Sequence, residues 1–265
     1  MRTVRATRYV TPLREGGSLP AIVEGDDEGL YVLKFRGAGQ GPRALVAELL
    51  AGEIARALGL PVPEIVFATI DADLARTEPD PEIQDLIRAS AGPTGSGAAL
   101  NLALDYLPGA VAFDPLAWQP NADLASRIVW FDAYVSNLDR TPRNANMLVW
   151  HDRLWLIDHG AAFYFHHASA DFVERATSPF AAIRDHVLLS FASQLADVDA
   201  AMSAALTGET IAAITSLIPD DWLGADAGHG DPPAQRTAYA SYLARRLEAP
   251  RAFAEEADRA RSLHV

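Results

Sequence analysis

Apolar and polar residues alternate through "AIVEGDDEGLYVLKF" in two short runs separated by an acidic, Gly-containing turn, the pattern of a β-hairpin whose second strand carries Lys34. In "GPRALVAELLAGEIARALGLPVPE" the spacing turns helical, with Leu45, Leu49, Leu50, Ile54, Ala57 and Leu58 recurring on one side. Pro42 near its start and Gly59 then Pro61 at its end bound a helix of about four turns. "EIVFATID" reads as a further strand, Pro81 to Arg88 as a short helix, and "LNLALDYLPGA" as an apolar strand running into a break at Pro108 and Gly109. After Asp114 the pattern is mainly helical. Leu124, Ile128, Phe131 and Val135 mark one helix, and the segments 185–217 and 233–262 read as helical. Between them "NMLVW" and "LWLID", joined by "HDR", form one two-stranded unit. The order implies an α+β, bilobal fold. A strand-rich N-terminal lobe with one long helix spans 1–107, and a mainly helical C-terminal lobe spans 108–265.

Composition narrows the partners. With 265 residues, 49% hydrophobic and 22% charged, the chain has globular content. A formal net charge of −13 repels nucleic acid and anionic membranes, so neither is expected as a partner. The absence of cysteine excludes disulfides, thiolate metal sites and cysteine nucleophiles. The N-terminus has no apolar stretch of signal-peptide type, and no window approaches a membrane span, which gives a cytoplasmic expectation.

Lys34 is the single lysine among 22 Lys and Arg residues, and it stands inside an alternating strand. A compact ammonium on a flexible stem reaches phosphate oxygens as a point charge, which a planar guanidinium replaces poorly. A second group of chemistry-bearing residues lies in "NLDRTPRNANMLVWHDRLWLIDHG", residues 137–160. Asp139 and Asn144 are five apart in a Pro-containing loop, and Asp158 ends the second strand of the hairpin, before His159 and Gly160. Oxygen ligands converging from a loop and a strand end suit Mg2+, which takes one or two carboxylates and fills its octahedron with water and phosphate. D-x-x-x-x-N followed by D-x-G is the catalytic-loop and metal-loop arrangement of protein-kinase-like phosphotransferases.

Taken together, "VLKF", "LVAELLAGEIARALGLPVP", "FDAYVSNLDRTPRNANML" and "LIDHG" resemble the HipA-like kinase family. The likeness runs from about residue 16 to Gly160, with a weaker echo in "IRDHVLL", "IPDDWL" and the last helix. The loop "NLDRTPRN" is also similar to that of phosphatidylinositol kinases. The resemblance implies a bilobal protein-kinase-like fold binding ATP and Mg2+, with Asp139 as catalytic base, Asn144 and Asp158 as metal ligands, and Lys34 on the α and β phosphates. It places Glu48 as the carboxylate that orients Lys34. A helical wheel instead puts Glu53 within the apolar arc and Glu48 on its flank, although Glu53 also stands i,i+3 from Arg56. Gly16, Gly17 and Ser18 of the reduced loop "GGSLP", with Asp105 and Arg143, complete the nucleotide-binding candidates.

The implied activity is transfer of the γ-phosphoryl group to a hydroxyl, of a protein Ser/Thr or of a small-molecule or lipid acceptor. A nucleotide-binding pseudokinase and an AMP-transferring enzyme are the alternatives. In this chain Leu138 and Thr141 stand where protein kinases carry a histidine and a lysine beside the base. Arg140 or Arg143 could supply the missing charge to the γ-phosphate, or each could pair with a carboxylate. Asp132 reads as a brace for the loop. His159, His166, His167 and His186 lack the spacing of a helical zinc pair. The Gly-rich "AGPTGSGAA" reads as a loop, not a phosphate cradle, since no G-K-[ST] follows.

Overall fold

The structure, a computed structural model, describes residues 1–13, 19–39, 41–92, 99–167, 172–224 and 230–263. Gly16, Gly17, Ser18 and most of "AGPTGSGAA" lie outside the described residues.

Five strands close into a barrel in the order β1-β2-β3-β5-β4: β1 (Thr3–Pro12), β2 (Ala21–Gly25), β3 (Leu30–Lys34), β4 (Ile65–Thr69) and β5 (Asn101–Asp105). The β2–β3 hairpin pairs Ala21 with Leu33 and Val23 with Tyr31, and β3 pairs antiparallel with β5, Lys34 opposite Leu102. Residues i and i+2 share a face, so Tyr31 and Leu33 point into the barrel while Val32 and Lys34 point out. A five-stranded barrel is narrow, and Ala6, Ala21, Ala68 and Ala103 are all buried in it beside Val4, Val23 and Val66. The hydrophobic pattern gave no sign of β1: only Val4 and Ala6 of its ten residues are buried, the rest being largely Arg and Thr.

Helix α1 (Gly41–Ala57) follows β3. It ends in a Schellman motif, with the N–H of Leu60 donating to Ala55 O at 2.9 Å, the N–H of Gly59 to Arg56 O at 3.0 Å, and Gly59 at φ 71°. It crosses β4 at Gly52, where a Cβ would stand 2.3 Å from Ile65 Cδ1. Then come α2 (Pro81–Ser90), α3 (Ala122–Val135), α4 (Leu195–Ala205), α5 (Gly208–Ser216), α6 (Asp220–Leu223), α7 (Pro232–Arg246) and α8 (Ala252–Ser262). A second sheet, in the order β6-β7-β8, is made of β6 (Val111–Ala112), β7 (Met147–Trp150) and β8 (Arg153–Leu156). The β7–β8 turn is two residues long, His151 and Asp152, both at positive φ as such a turn requires.

Two apolar clusters hold these elements. The smaller fills the barrel and reaches Ile83 and Ile87 of α2. The larger joins α1, Leu102 and Leu104 of β5, α3, the β7–β8 hairpin and the C-terminal helices. Helix α1 therefore packs against β4 and β5 as well as α5 and α6. That enclosure corrects the helical-wheel reading: α1 is buried nearly all round, so it has no single apolar arc, and Glu48 is wholly buried while Glu53 is only half-buried. Two helical expectations are also corrected. Residues 181–185 and 189–191 are 3-10 turns ahead of α4, and 233–262 is interrupted between α7 and α8, where Pro250 offers no N–H to continue a helix. Among the described residues no helix is long and apolar enough to cross a membrane.

Candidate active site

Lys34 ends β3 with its side chain outside the barrel, on the face that α1 covers. Its ammonium lies 2.5 Å from Glu48 Oε2 and 2.5 Å from Asp158 Oδ1. Glu48 is the partner that α1 brings to it. Glu53 stands 3.4 Å from Arg56 instead, one turn along the helix. The same Glu48 Oε2 accepts the main-chain N–H of His159 at 2.7 Å, and Glu48 Oε1 is 3.3 Å from His159 Nδ1. One carboxylate thus fastens a strand lysine to the segment that carries Asp158.

Burial alone would discharge both members of this pair. For Lys34 burial works to lower the pKa, but the charges of Glu48 and Asp158 outweigh it and hold the ammonium above its ordinary range. For Glu48 burial pushes up, and Lys34 with His159 pulls the carboxyl down to about 2. The two shifts agree on a charged, mutually dependent pair.

The loop with Asp139 is built from the end of α3. Asn121 caps that helix by accepting the N–H of Leu124 at 2.8 Å, and Ser136, at φ 54°, turns the chain out of it. Asp132, in its last turn, is fully buried and receives three side chains. Asn137 Nδ2 donates to its Oδ1 at 2.8 Å, while Arg140 Nε at 2.5 Å and His186 Nε2 at 2.8 Å meet at Oδ2. Burial opposes the charge on Asp132, yet Arg140 and His186 hold its carboxyl well below the usual range. The N–H of Leu188 donates to His186 Nδ1, so the hydrogen sits on Nε2, facing Asp132. Arg140 also donates to Asn146 O at 2.5 Å. Arg140 is therefore spent on the brace, and of the two arginines only Arg143 is exposed.

Asp139 is positioned from both sides. Its N–H donates to Asn137 Oδ1 at 3.1 Å, and its Oδ2 accepts Asn144 Nδ2 at 2.8 Å and Asn146 Nδ2 at 3.2 Å. Among the described residues nothing bonds its Oδ1. Asn146, whose carbonyl accepts the N–H of Ile157 at 3.1 Å, links this loop to the residue before Asp158. Asn146 was not singled out by motif spacing; the only signal was a second asparagine at the mouth of the strand "NMLVW".

The remaining candidates fall elsewhere. Asp105 pairs with Tyr31, three residues along the ladder from the Lys34–Leu102 pair, about 10 Å at strand rise. The structure does not bring it to the Lys34 group. His166 meets Tyr239 Oη at 2.8 Å and His167 Nε2 at 3.0 Å, away from Asp158 in bonding terms. Among the described residues no group of three or more His, Cys, Asp or Glu is gathered as a metal cage.

The HipA-like kinase family model matches residues 7–251. The chain belongs to the HipA-like kinase family. No curated protein matches it. Among solved structures, the Helicobacter pylori proinflammatory kinase CtkA is similar to it with a TM-score of 0.53 and 13% identity over 99% of each chain. At that identity the likeness is one of fold. Membership of a HipA-like kinase family implies ATP use, typically with a divalent metal. The donors present fit such an ion: the Asp158 carboxylate and the amide oxygens of the 139–146 loop are hard oxygen ligands, few enough to leave room for phosphate and water.

Proposed function

We propose that this HipA-like chain is an ATP- and Mg2+-dependent kinase transferring the γ-phosphoryl group to a hydroxyl, with a protein Ser/Thr as the first choice of acceptor and a small molecule the second. The observation that carries the reading is the convergence of the single lysine, Lys34, on Glu48 and Asp158. Two lobes, 1–107 and 108–265, would hold the nucleotide between them, with Gly16, Gly17 and Ser18 over the phosphates and Arg143 reaching from the loop.

Lys34 holds the α and β phosphate oxygens, and Glu48 keeps the ammonium extended and charged. Asp158 and a loop amide would hold the metal, Asn144 being the residue that motif spacing selects. Bound Mg2+ supplies neutralisation of charge on the phosphate oxygens. Asp139, with Oδ2 fixed by two amides, presents Oδ1 to the acceptor hydroxyl. The acceptor oxygen forms a bond to the γ-phosphorus, the bond from that phosphorus to the β-bridging oxygen breaks, ADP departs with the electron pair, and the hydroxyl proton passes to Asp139. Positioning and electrostatics supply the rate, as in phosphoryl transfer generally.

Incubation with γ-labelled and with α-labelled ATP tests the reading. Label transferred from the γ position alone supports it; label from the α position means AMP transfer, and none from either, with nucleotide still bound, means a pseudokinase.

A further inference from the structure

Arg246 closes the last turn of α7 and is buried, yet among the described residues no carboxylate pairs with it. Its guanidinium donates to main-chain carbonyls instead. Nε reaches Tyr134 O at 2.8 Å and Nη2 reaches Ala133 O at 2.9 Å, while Nη1 meets Ala176 O and Ser178 O, each at 3.0 Å. The rings of Tyr242 and Phe253 lie 5.7 and 4.9 Å from its Cζ. A buried cation without a counter-ion is costly, and here carbonyl dipoles and aromatic faces take the counter-ion's place.

The carbonyls belong to two separate segments. Ala133 and Tyr134 stand in the last turn of α3, which carries no basic residue of its own. Carbonyls at the end of a helix lack partners within it and form the negative end of its dipole. Asp132 O takes the N–H of Asn137 at 2.9 Å and Val135 O that of Phe163 at 2.8 Å. Arg246, 112 residues beyond Tyr134, supplies the cation that the sequence of α3 omits. Ala176 and Ser178 lie at the end of the 3-10 turn Phe172–Thr177, which Phe172 packs on Tyr239 and Tyr242 of α7 with ring centroids 5.0 and 6.0 Å apart. The side chains of Thr177 and Ser178 are exposed, so this stretch is held by its backbone. From α3 the chain runs through Ser136 directly into Asn137, Leu138 and Asp139. One buried side chain thus ties 176–178 to the helix end from which the Asp139 loop springs.

We infer that Arg246 is a positioning residue for phosphoryl transfer: by clasping the 176–178 segment to the end of α3, it keeps that exposed segment and the Asp139 loop in one fixed geometry. The planar fork is what spans both segments, and an ammonium does not replace it. This inference rests on the kinase reading above, and its test separates the two.

The full chain and its Arg246→Met variant are compared in γ-phosphoryl transfer from ATP to dephosphorylated casein and in amide hydrogen exchange. A misplaced loop slows the chemical step and leaves ground-state nucleotide binding alone, so kcat falls about tenfold to a hundredfold while KM for ATP stays within about twofold. Exchange at Ser178 and Phe163 quickens about tenfold or more beyond any change in the β3–β5 ladder. A merely structural loss would quicken all of these amides together and leave the kcat of the folded fraction unmoved. Should Arg246→Met fail to fold, Arg246→Lys decides, since it keeps the charge and loses the fork: kcat at least about threefold lower with KM for ATP unchanged supports the inference, and wild-type kcat overturns it. Exchange at Ser178 and Phe163 that rises no more than the ladder, or KM for ATP rising as kcat falls, also overturns it and leaves the kinase reading standing. A wild-type chain that passes γ-phosphate neither to casein nor to water overturns the kinase reading and the inference with it.

Discussion

The main-chain N–H of His159 donates to Glu48 Oε2 at 2.7 Å, the oxygen on which the Lys34 ammonium also rests. Helix α1 is thereby locked to the segment bearing Asp158, and the position of Lys34 depends on a carboxylate that has two further duties. Glu48→Gln removes the charge that balances Lys34 while keeping the shape. It is expected to slow phosphate transfer by about a hundredfold, on the scale of losing one preorganised electrostatic contact. Glu53→Gln touches only the half-exposed pair with Arg56 and should leave transfer unchanged and cost less than about 1 kcal/mol of stability. Steady-state transfer assays and urea unfolding of both variants check the contrast.

The Lys34–Glu48 pair gives stability a definite pH window. Glu48 titrates at about 2 in the fold against 4.5 ordinarily, so its contribution is complete above pH 4.5 and is lost as pH falls toward 2. Lys34 is shifted upward from 10.5, so its contribution is complete below that value and is lost as pH rises through its higher folded value. Between about pH 5 and 10 both are intact, and acidification removes on the order of 3 kcal/mol through Glu48. Lys34→Met inverts the slope: without the ammonium, burial governs Glu48, its carboxyl shifts up, and the variant gains stability relative to wild type as pH falls from 7 to 4. Urea unfolding at a series of pH values reads the difference.

The Asp132–Arg140 pair is buried on both sides, so breaking it leaves a charge with no counter-ion. Asp132→Asn and Arg140→Met should each cost about 3–5 kcal/mol, and the double variant less than their sum. A double-mutant cycle by chemical denaturation measures the coupling. Both singles should also slow transfer, since Arg140 and Asn137 bring Asp132's anchorage to the loop that presents Asp139.

Asp139→Asn keeps the size of the side chain and removes the proton acceptor. Transfer should fall by about a thousandfold or more, whereas stabilisation by Mg·ATP should persist at roughly 2.7 kcal/mol when ligand is at a hundred times its Kd. Loss of both together would mean that Asp139 acts through nucleotide binding and not as the base.

Local signals carried the legible part of this site. Lys34 announced itself by its uniqueness inside an alternating strand, and Asp139, Asn144 and Asp158 by spacing within one loop and one hairpin, all set by short stretches of chain. What needed the third dimension was different in kind. The wheel misjudged Glu48 and Glu53 because α1 is enclosed by the barrel on one side and C-terminal helices on another, which no periodicity in its own sequence reports. Asn146 escaped because the D-x-x-x-x-N spacing was already satisfied by Asn144, and its bond to the Asp139 carbonyl and the Ile157 N–H on its own carbonyl arise only in the folded chain. Arg140 read as a phosphate ligand or a surface partner because its partner Asp132 lies on the preceding helix, and His186, some fifty residues on, completes the brace. Strands β1 and β6 went unread for a simpler reason: few or none of their side chains are buried, so they carry no apolar alternation.

The most direct measurement is a structure of the chain with Mg2+ and a non-hydrolysable ATP analogue. The account predicts Lys34 Nζ in hydrogen-bond contact with α- or β-phosphate oxygens and still on Glu48, with the Asp158 carboxylate transferred from Lys34 to the metal and the γ-phosphate facing Asp139. A nucleotide bound elsewhere, or one whose phosphates make no contact with Lys34 while Asp158 stays off the metal, would contradict it.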